Sequence, residues 1–127
     1  MKIIKFCAVS LFATSFLLAD ETPLAEAMSD ANQPYKSIRR GKSATWAEKL
    51  EWAQNLATSF EKSAAYLPEG LEDPKEIAVY KQMIFQSLAE MYTLQLAALN
   101  KDAKAYDDSY AKIKEIKSDG HDRFIEE

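Results

Sequence analysis

Cysteine, histidine and glycine are scarce in this chain of 127 residues, which has one cysteine, Cys7, one histidine, His121, and three glycines. With a single histidine most catalytic triads are excluded, and the sequence shows no Ser-His-Asp or Cys-His arrangement. It also has no glycine-rich loop of the kind that holds phosphate groups. These absences argue against an enzyme.

Long apolar runs are also rare, and the clearest one lies near the amino terminus. It extends from Phe6 to Leu18 and follows two lysines, Lys2 and Lys5. This order is typical of a secretory signal peptide, and the run is too short to span a bilayer comfortably. We therefore predict a signal peptide at residues 1–19 and one exported domain at residues 20–127, with an uncleaved signal anchor as the alternative.

Cleavage after Ala19 would remove Cys7, together with two of the 16 basic residues and none of the 20 acidic ones. The mature chain would then carry a net charge of −6 and could form no disulfide, even in an oxidising compartment. Its acidic balance argues against nucleic acid and favours a basic protein as a partner. We expect a soluble periplasmic protein without stable membrane insertion, either a monomer or a weak dimer.

Helical spacing of apolar residues dominates residues 20–127. Leu24, Met28, Ala31 and Tyr35, for example, recur at intervals of four, three and four residues, which is one face of a helix. Start signals support further helices: Thr45 to Glu48 matches a capping box, and Asp73-Pro74 combines a capping residue with a first-turn proline. The sequence predicts four helices near residues 22–40, 45–66, 74–99 and 102–125.

The connections between these helices are short, so the predicted fold is all-α: an antiparallel up-down-up-down four-helix bundle. In the third helix, Phe85 and Leu96 are among the residues that widen the apolar arc beyond what a surface helix needs. A bundle of this size is marginally stable without a bound cofactor.

Met28 and His121 are the candidate functional pair. They are 93 positions apart, but an up-down-up-down bundle brings the start of its first helix and the end of its fourth to one end. A thioether and an imidazole that face each other across an apolar gap are the two axial ligands of a low-spin haem. Taken singly, Met28 would more often be a core residue, and His121 a helix-end residue that complements the dipole.

The chain resembles the periplasmic soluble cytochrome b562 family, relatives of the cytochrome c′ bundles, over nearly all of residues 20–127. Leu24 to Met28 stands where that family has its methionine ligand, and Pro68 lies in the matching joint between the second and third helices. The segment from Lys117 to His121 stands where a cytochrome c′ carries its C-x-x-C-H motif. In this chain Lys117 and Gly120 occupy the two cysteine positions.

The resemblance implies one haem b per chain, an iron-protoporphyrin IX bound without covalent attachment. Its iron would be held by Met28 and His121. Tyr80 stands where the family has a haem-packing aromatic residue, and Lys117 where the family often has an arginine that pairs with a propionate. Because two protein ligands fill both axial positions, the implied function is electron transport in the periplasm.

Two features depart from the family pattern, the lysine at position 117 and a proline in the first helix. Pro34 lies inside the first helix and predicts a kink or shift just after Met28. Met83 and Met91, on the third helix, are expected to lie too far along the bundle to replace Met28.

Two alternatives remain. The first is a haem-free bundle that acts as a periplasmic interaction or stress protein, in which Met28 and His121 are packing residues. The second, a metal-dependent enzyme, is disfavoured because Asp119, His121 and Asp122 occupy different helix faces and make a poor zinc shell.

Overall fold

The computed structural model of the chain describes residues 23–124, which form four α-helices and no β-strand. The helices are α1 (Pro23–Arg40), α2 (Trp46–Ser63), α3 (Pro74–Leu99) and α4 (Ala103–Phe124). The predicted all-α class and the four helices are therefore confirmed. The predicted signal peptide lies outside the described residues.

The two predicted helix starts are confirmed at the level of individual hydrogen bonds. The Glu48 backbone N–H donates to Thr45 Oγ1 at 3.1 Å, and the Thr45 N–H donates to Glu48 Oε1 at 2.9 Å, which completes the capping box. At α3, the Lys75 N–H donates to Asp73 Oδ1 at 3.2 Å and Pro74 is the first helical residue. Each side chain satisfies a backbone donor that has no partner within the helix.

Pro34 does not end α1, which continues from Pro23 to Arg40. A proline inside a helix removes the hydrogen bond to the carbonyl four residues earlier, here that of Asp30. Asp30 is exposed, so water can solvate this carbonyl, and the buried Pro34 ring adds apolar contact to the core. The helix that carries Met28 therefore remains continuous.

The end of α1 packs closely against α2. The Gly41 N–H donates to the Ser37 carbonyl at 2.8 Å. A β-carbon at position 41 would lie 2.6 Å from ring carbons of Trp52 and 2.8 Å from the Ser37 carbonyl oxygen. Glycine permits this approach because it has no side chain.

Specific contacts join α4 to both α2 and α3. The Tyr106 hydroxyl donates to the Lys49 carbonyl at 3.1 Å, and Ser109 Oγ donates to the Glu90 carbonyl at 2.7 Å. At the other end of α4, Arg123 forms a two-point ion pair with Glu76 at the start of α3, with N–O distances of 3.0 and 3.1 Å. These contacts fix the register of α4 against its neighbours.

The core draws on all four helices, but α1 contributes mainly small side chains. Its buried residues include Ala25, Ala27 and Ala31, whereas α3 contributes Leu88, Met91 and others of similar size. Backbone packing joins each helix to the next in sequence, while α1 and α4 meet mainly through side chains. The small residues on α1 therefore leave space beside α4.

None of the helices in residues 23–124 is long and apolar enough to cross a membrane.

Candidate functional site

An apolar cavity of about 460 Å³ occupies the space between α1, α3 and α4, and α2 forms part of its wall. This volume lies within the range of ligand pockets, which is roughly 300–1,000 Å³. Ala25 and Ala31 are on its α1 side, and larger residues there would fill it. The cavity is the candidate binding site.

All four residues that sequence reasoning assigned to a cofactor line this cavity: Met28, Tyr80, Lys117 and His121. Met28 is half-buried on α1, and Tyr80 is buried on α3. Lys117 and His121 lie one turn apart on α4 and are exposed overall, so they stand where the cavity meets the surface. Tertiary structure thus places together residues that are up to 93 positions apart.

The charge in the cavity wall is unusual for so acidic a chain. Among the described residues that line it, Lys117 is the only lysine or arginine, and there is no aspartate or glutamate. Lys117 Nζ lies 5.1 Å from the ring centroid of Tyr35, which also lines the cavity. This position favours a ligand that is apolar over most of its surface and anionic at one edge.

Tyr80 places a polar atom in this apolar wall without a partner. Its hydroxyl is buried and has no hydrogen-bond partner in the described part of the chain. Burial raises the pKa of Tyr80 because the charged phenolate is poorly solvated there, so the group is neutral at pH 7. Its ring packs edge-to-face on Phe124, with centroids 5.4 Å apart. An unpaired buried hydroxyl costs about 1–3 kcal/mol.

Tyr35 on α1 packs against Tyr110 on α4 at the edge of the cavity, with ring centroids 5.3 Å apart. Tyr35 lines the cavity, whereas Tyr110 is half-buried and does not line it. Burial, more than the neighbouring Tyr35 hydroxyl, raises the pKa of Tyr110. This pair is the main contact between α1 and α4 beside the cavity.

The expectation that Met83 and Met91 lie too far along the bundle to reach the site is wrong. Both line the same cavity as Met28, and a β-carbon on Gly120 would lie 3.7 Å from the Met83 methyl carbon. The reason is that the first three turns of α3 run beside the last turns of α4, so Met83 is level with the turn that carries His121. The site therefore contains three thioethers.

Sequence reasoning missed much of the apolar wall. Leu56, Phe60, Ile84 and Ile113 line the cavity although each appeared in the sequence as an ordinary residue of a helix stripe or was not singled out. No local signal distinguishes a core position that faces a cavity from one that faces another side chain. The distinction depends on how far apart the helices stand.

Comparison with known proteins adds no identification: no family model, no curated protein and no solved structure matches this chain. Within residues 23–124, no cluster of three or more His, Cys, Asp or Glu side chains is arranged to hold a metal ion. A metal in the cavity would instead be held by a thioether and an imidazole, the pair that a haem iron accepts.

Proposed function

We propose that this protein is an exported b-type cytochrome that binds one haem b non-covalently, with Met28 and His121 as the axial ligands, and carries electrons. The observation that carries this proposal is that both residues line one apolar cavity although they lie 93 positions apart in sequence. The resemblance of the chain to the cytochrome b562 family supports the same conclusion.

We also propose that the four helices run up-down-up-down. In support, Arg123 at the end of α4 pairs with Glu76 at the start of α3, as expected for antiparallel neighbours. Tyr106 at the start of α4 reaches Lys49 at the start of α2, as expected for helices two apart in such a bundle. This topology brings the start of α1 and the end of α4 to one end.

The residues of the cavity fit a haem in several respects. Haem is a flat apolar ring with two carboxylates at one edge, and the cavity combines an apolar wall with the single ammonium group of Lys117. The donor set, one thioether and one imidazole, is that of low-spin cytochromes. When bound, haem supplies a one-electron redox centre whose potential depends on its ligands and its burial.

Each residue of the chain then has a defined role. Met28 on α1 and His121 on α4 would hold the iron, and the methionine would raise the reduction potential relative to a pair of histidines. Lys117 pairs with a propionate as a point charge, without the two-point geometry of an arginine. Tyr80 would pack against the ring, and Phe60 and its apolar neighbours would exclude water.

An electron carrier, and not an enzyme, is the function that this ligand set favours. If Met28 and His121 both bind the iron, no coordination position would be open to a substrate. Electrons would pass to and from a protein partner at the surface, and the net charge of −6 expected for the mature chain favours a basic one.

Export to the periplasm is part of the proposal and rests on the sequence of residues 1–19. Intact-mass measurement of protein from a host that secretes it should show a chain that begins near Asp20. Retention of residues 1–19 in a cytosolic fraction would contradict this part of the proposal and leave the haem site untouched.

The ligands are tested by titrating haem into the haem-free protein and three variants. The wild type should give a six-coordinate, low-spin spectrum, and His121→Ala should lose it. Met28→Ala should shift the haem towards a high-spin state and lower its potential. Met83→Ala is the matched control, because it removes a thioether from the same cavity and should leave the low-spin spectrum intact.

The double variant Met28→Ala/Met83→Ala shows whether Met83 can replace Met28 in the single variant. A change caused by Met83→Ala but not by Met28→Ala would overturn the ligand assignment. If the wild type takes up no haem, the haem-free bundle that acts as an interaction or stress protein becomes the better account.

A further inference from the structure

Four large apolar side chains are exposed along one face of α3. Phe85 is 56% exposed, Tyr92 44%, Leu96 59% and Leu99 61%. They are separated by seven, four and three residues, so they follow one line along the helix. We refer to these four residues as the α3 stripe. The wide apolar arc expected of this helix is therefore only partly buried.

The α3 stripe does not belong to the haem site. The α3 residues that line the cavity lie on the opposite side of the helix: Tyr80, Met83, Ile84, Ser87 and Met91. The four stripe residues are all exposed, so none is covered by α1, α2 or α4. Burial of the stripe would need something outside residues 23–124.

The segment of α3 that carries the stripe is almost free of charge, although Lys112 and Glu115 of α4 lie beside its Ala89 border. Between Lys81 and Lys101 the chain has one charged residue, Glu90, whose carbonyl and carboxylate both accept hydrogen bonds from Ser109 on α4. The whole chain, by contrast, is 28% charged. Depletion of charge around exposed aromatic and aliphatic residues is the composition of the centre of a protein interface.

The exposed area suits a small interface. Taking about 200 Å² for each residue, the α3 stripe exposes roughly 400 Å². Uncharged exposed neighbours such as Gln82, Ala89 and Thr93 extend the surface on the side that faces α4. The smallest specific interfaces bury about 600 Å² on each partner, so the stripe would supply about two thirds of that area and its borders would have to supply the rest.

We propose that the α3 stripe is the interface of a two-fold symmetric dimer with a second copy of this chain. Phe85, Tyr92 and Leu99 recur every seven residues with Leu96 between, which is the repeat by which two helices pack along a common seam. A two-fold interface requires a patch that is complementary to itself, and an uncharged apolar seam meets this requirement. The dimer leaves the haem cavity accessible because it uses the opposite side of α3.

The expected dimer is weak, and salt strengthens it. Two mature chains, each with a net charge of −6, repel one another at a distance, while the contact itself carries little charge. Added salt screens this repulsion and leaves apolar burial intact. Dissociation in the micromolar range is the expectation for an interface of this size.

Sedimentation equilibrium of the chain that begins at Asp20 tests the proposal. The weight-average mass should rise towards that of a dimer as the concentration increases from micromolar to millimolar. Tyr92→Glu should weaken association about tenfold or more, because it places a charge at the centre of the seam. Tyr66→Glu is the matched control, since Tyr66 is 43% exposed but lies outside α3, and it should have little effect. Far-ultraviolet circular dichroism checks that both variants fold.

Covalent capture provides a second measurement. The chain from Asp20 has no cysteine, so Tyr92→Cys introduces a sole thiol at the middle of the α3 stripe. Mild oxidation should link two copies of this variant and should link Tyr66→Cys far less. A chain that stays monomeric at all concentrations, or equal effects at positions 92 and 66, would overturn the proposal.

Discussion

At Gly120, a residue with a side chain would stabilise the helix but would reduce the space for a ligand. It lies within α4 next to His121 and lines the cavity. Glycine in a helix interior costs about 1 kcal/mol relative to alanine. A β-carbon there would meet only the Met83 methyl, at an ordinary contact distance of 3.7 Å. The added methyl group therefore fits the haem-free protein but takes space from the cavity.

We accordingly predict that Gly120→Ala raises the melting temperature of the haem-free protein and weakens haem binding. Thermal unfolding and haem titration measure the two effects. Ala111→Gly, at an exposed position of the same helix, is the control: it should lower stability and leave haem affinity unchanged. A Gly120→Ala variant that binds haem as tightly as the wild type would show that the glycine does not serve the site.

For single residues, the sequence predicted which side chains belong to the site better than it predicted their neighbours. Met28 and His121 were predicted as a pair because only one histidine is present and the helix order placed a methionine opposite it. The proximity of Met83 was not predicted, since it depends on the register between α3 and α4. That register is set by tertiary contacts such as the pair between Arg123 and Glu76.

At the level of the helices, the connection between α1 and α2 depends on the close approach of Gly41 to the Trp52 ring. A β-carbon at Gly41 would lie 2.6 Å from Trp52 ring carbons and 2.8 Å from a backbone oxygen, so either the ring or the helix end must move. We predict that Gly41→Ala destabilises the protein by about 1–3 kcal/mol, the usual cost of overpacking. Urea unfolding measures this, with Ser43→Ala in the same exposed connection as control. Equal stability of the two variants would contradict the packing described here.

The ion pair between α3 and α4 predicts a dependence of stability on pH. The hydrogen bonds from Arg123 lower the pKa of Glu76 below its ordinary value of 4.5 in the folded state. The unfolded chain therefore binds the proton more readily, and the contribution of Glu76 is present above that ordinary pKa and is lost as the pH falls through the lower, folded one. Glu76→Gln should be less stable than the wild type at neutral pH, and the difference should shrink on acidification.

Urea unfolding at neutral pH and near pH 3 measures the two differences. Glu51→Gln, on the exposed face of α2, should show a smaller change between the two conditions. A constant difference for Glu76→Gln at both values of pH would mean that its carboxylate does not act through this ion pair.

Helix boundaries were largely predictable from the sequence because local chemistry sets them. The Thr45 capping box and the Asp73-Pro74 start each use a side chain within three residues of the backbone group that it satisfies. The degree of burial along α3 was not predictable. An apolar arc that is too wide for a surface helix indicates a buried helix and an unpaired interface equally well, and Phe85 and Leu96 proved to be exposed.

For the whole molecule, four amphipathic helices with short connections predict a helical fold, but they do not predict a cavity. The cavity exists because α1 presents small side chains such as Ala25 and Ala31 where α4 stands away from it. The helical spacing of apolar residues in a sequence shows only that a position is apolar. It does not record whether a neighbouring helix is near enough to fill the space, which is why the site required the structure.

The central claim is that the cavity of this protein binds haem between a methionine and a histidine. The most direct test is the visible absorption spectrum of the protein recovered from a host that secretes it, recorded in the oxidised and reduced states. We predict one haem per chain and a six-coordinate, low-spin spectrum in both states. Protein that contains no haem, and that takes up none when haem is added, would contradict the claim.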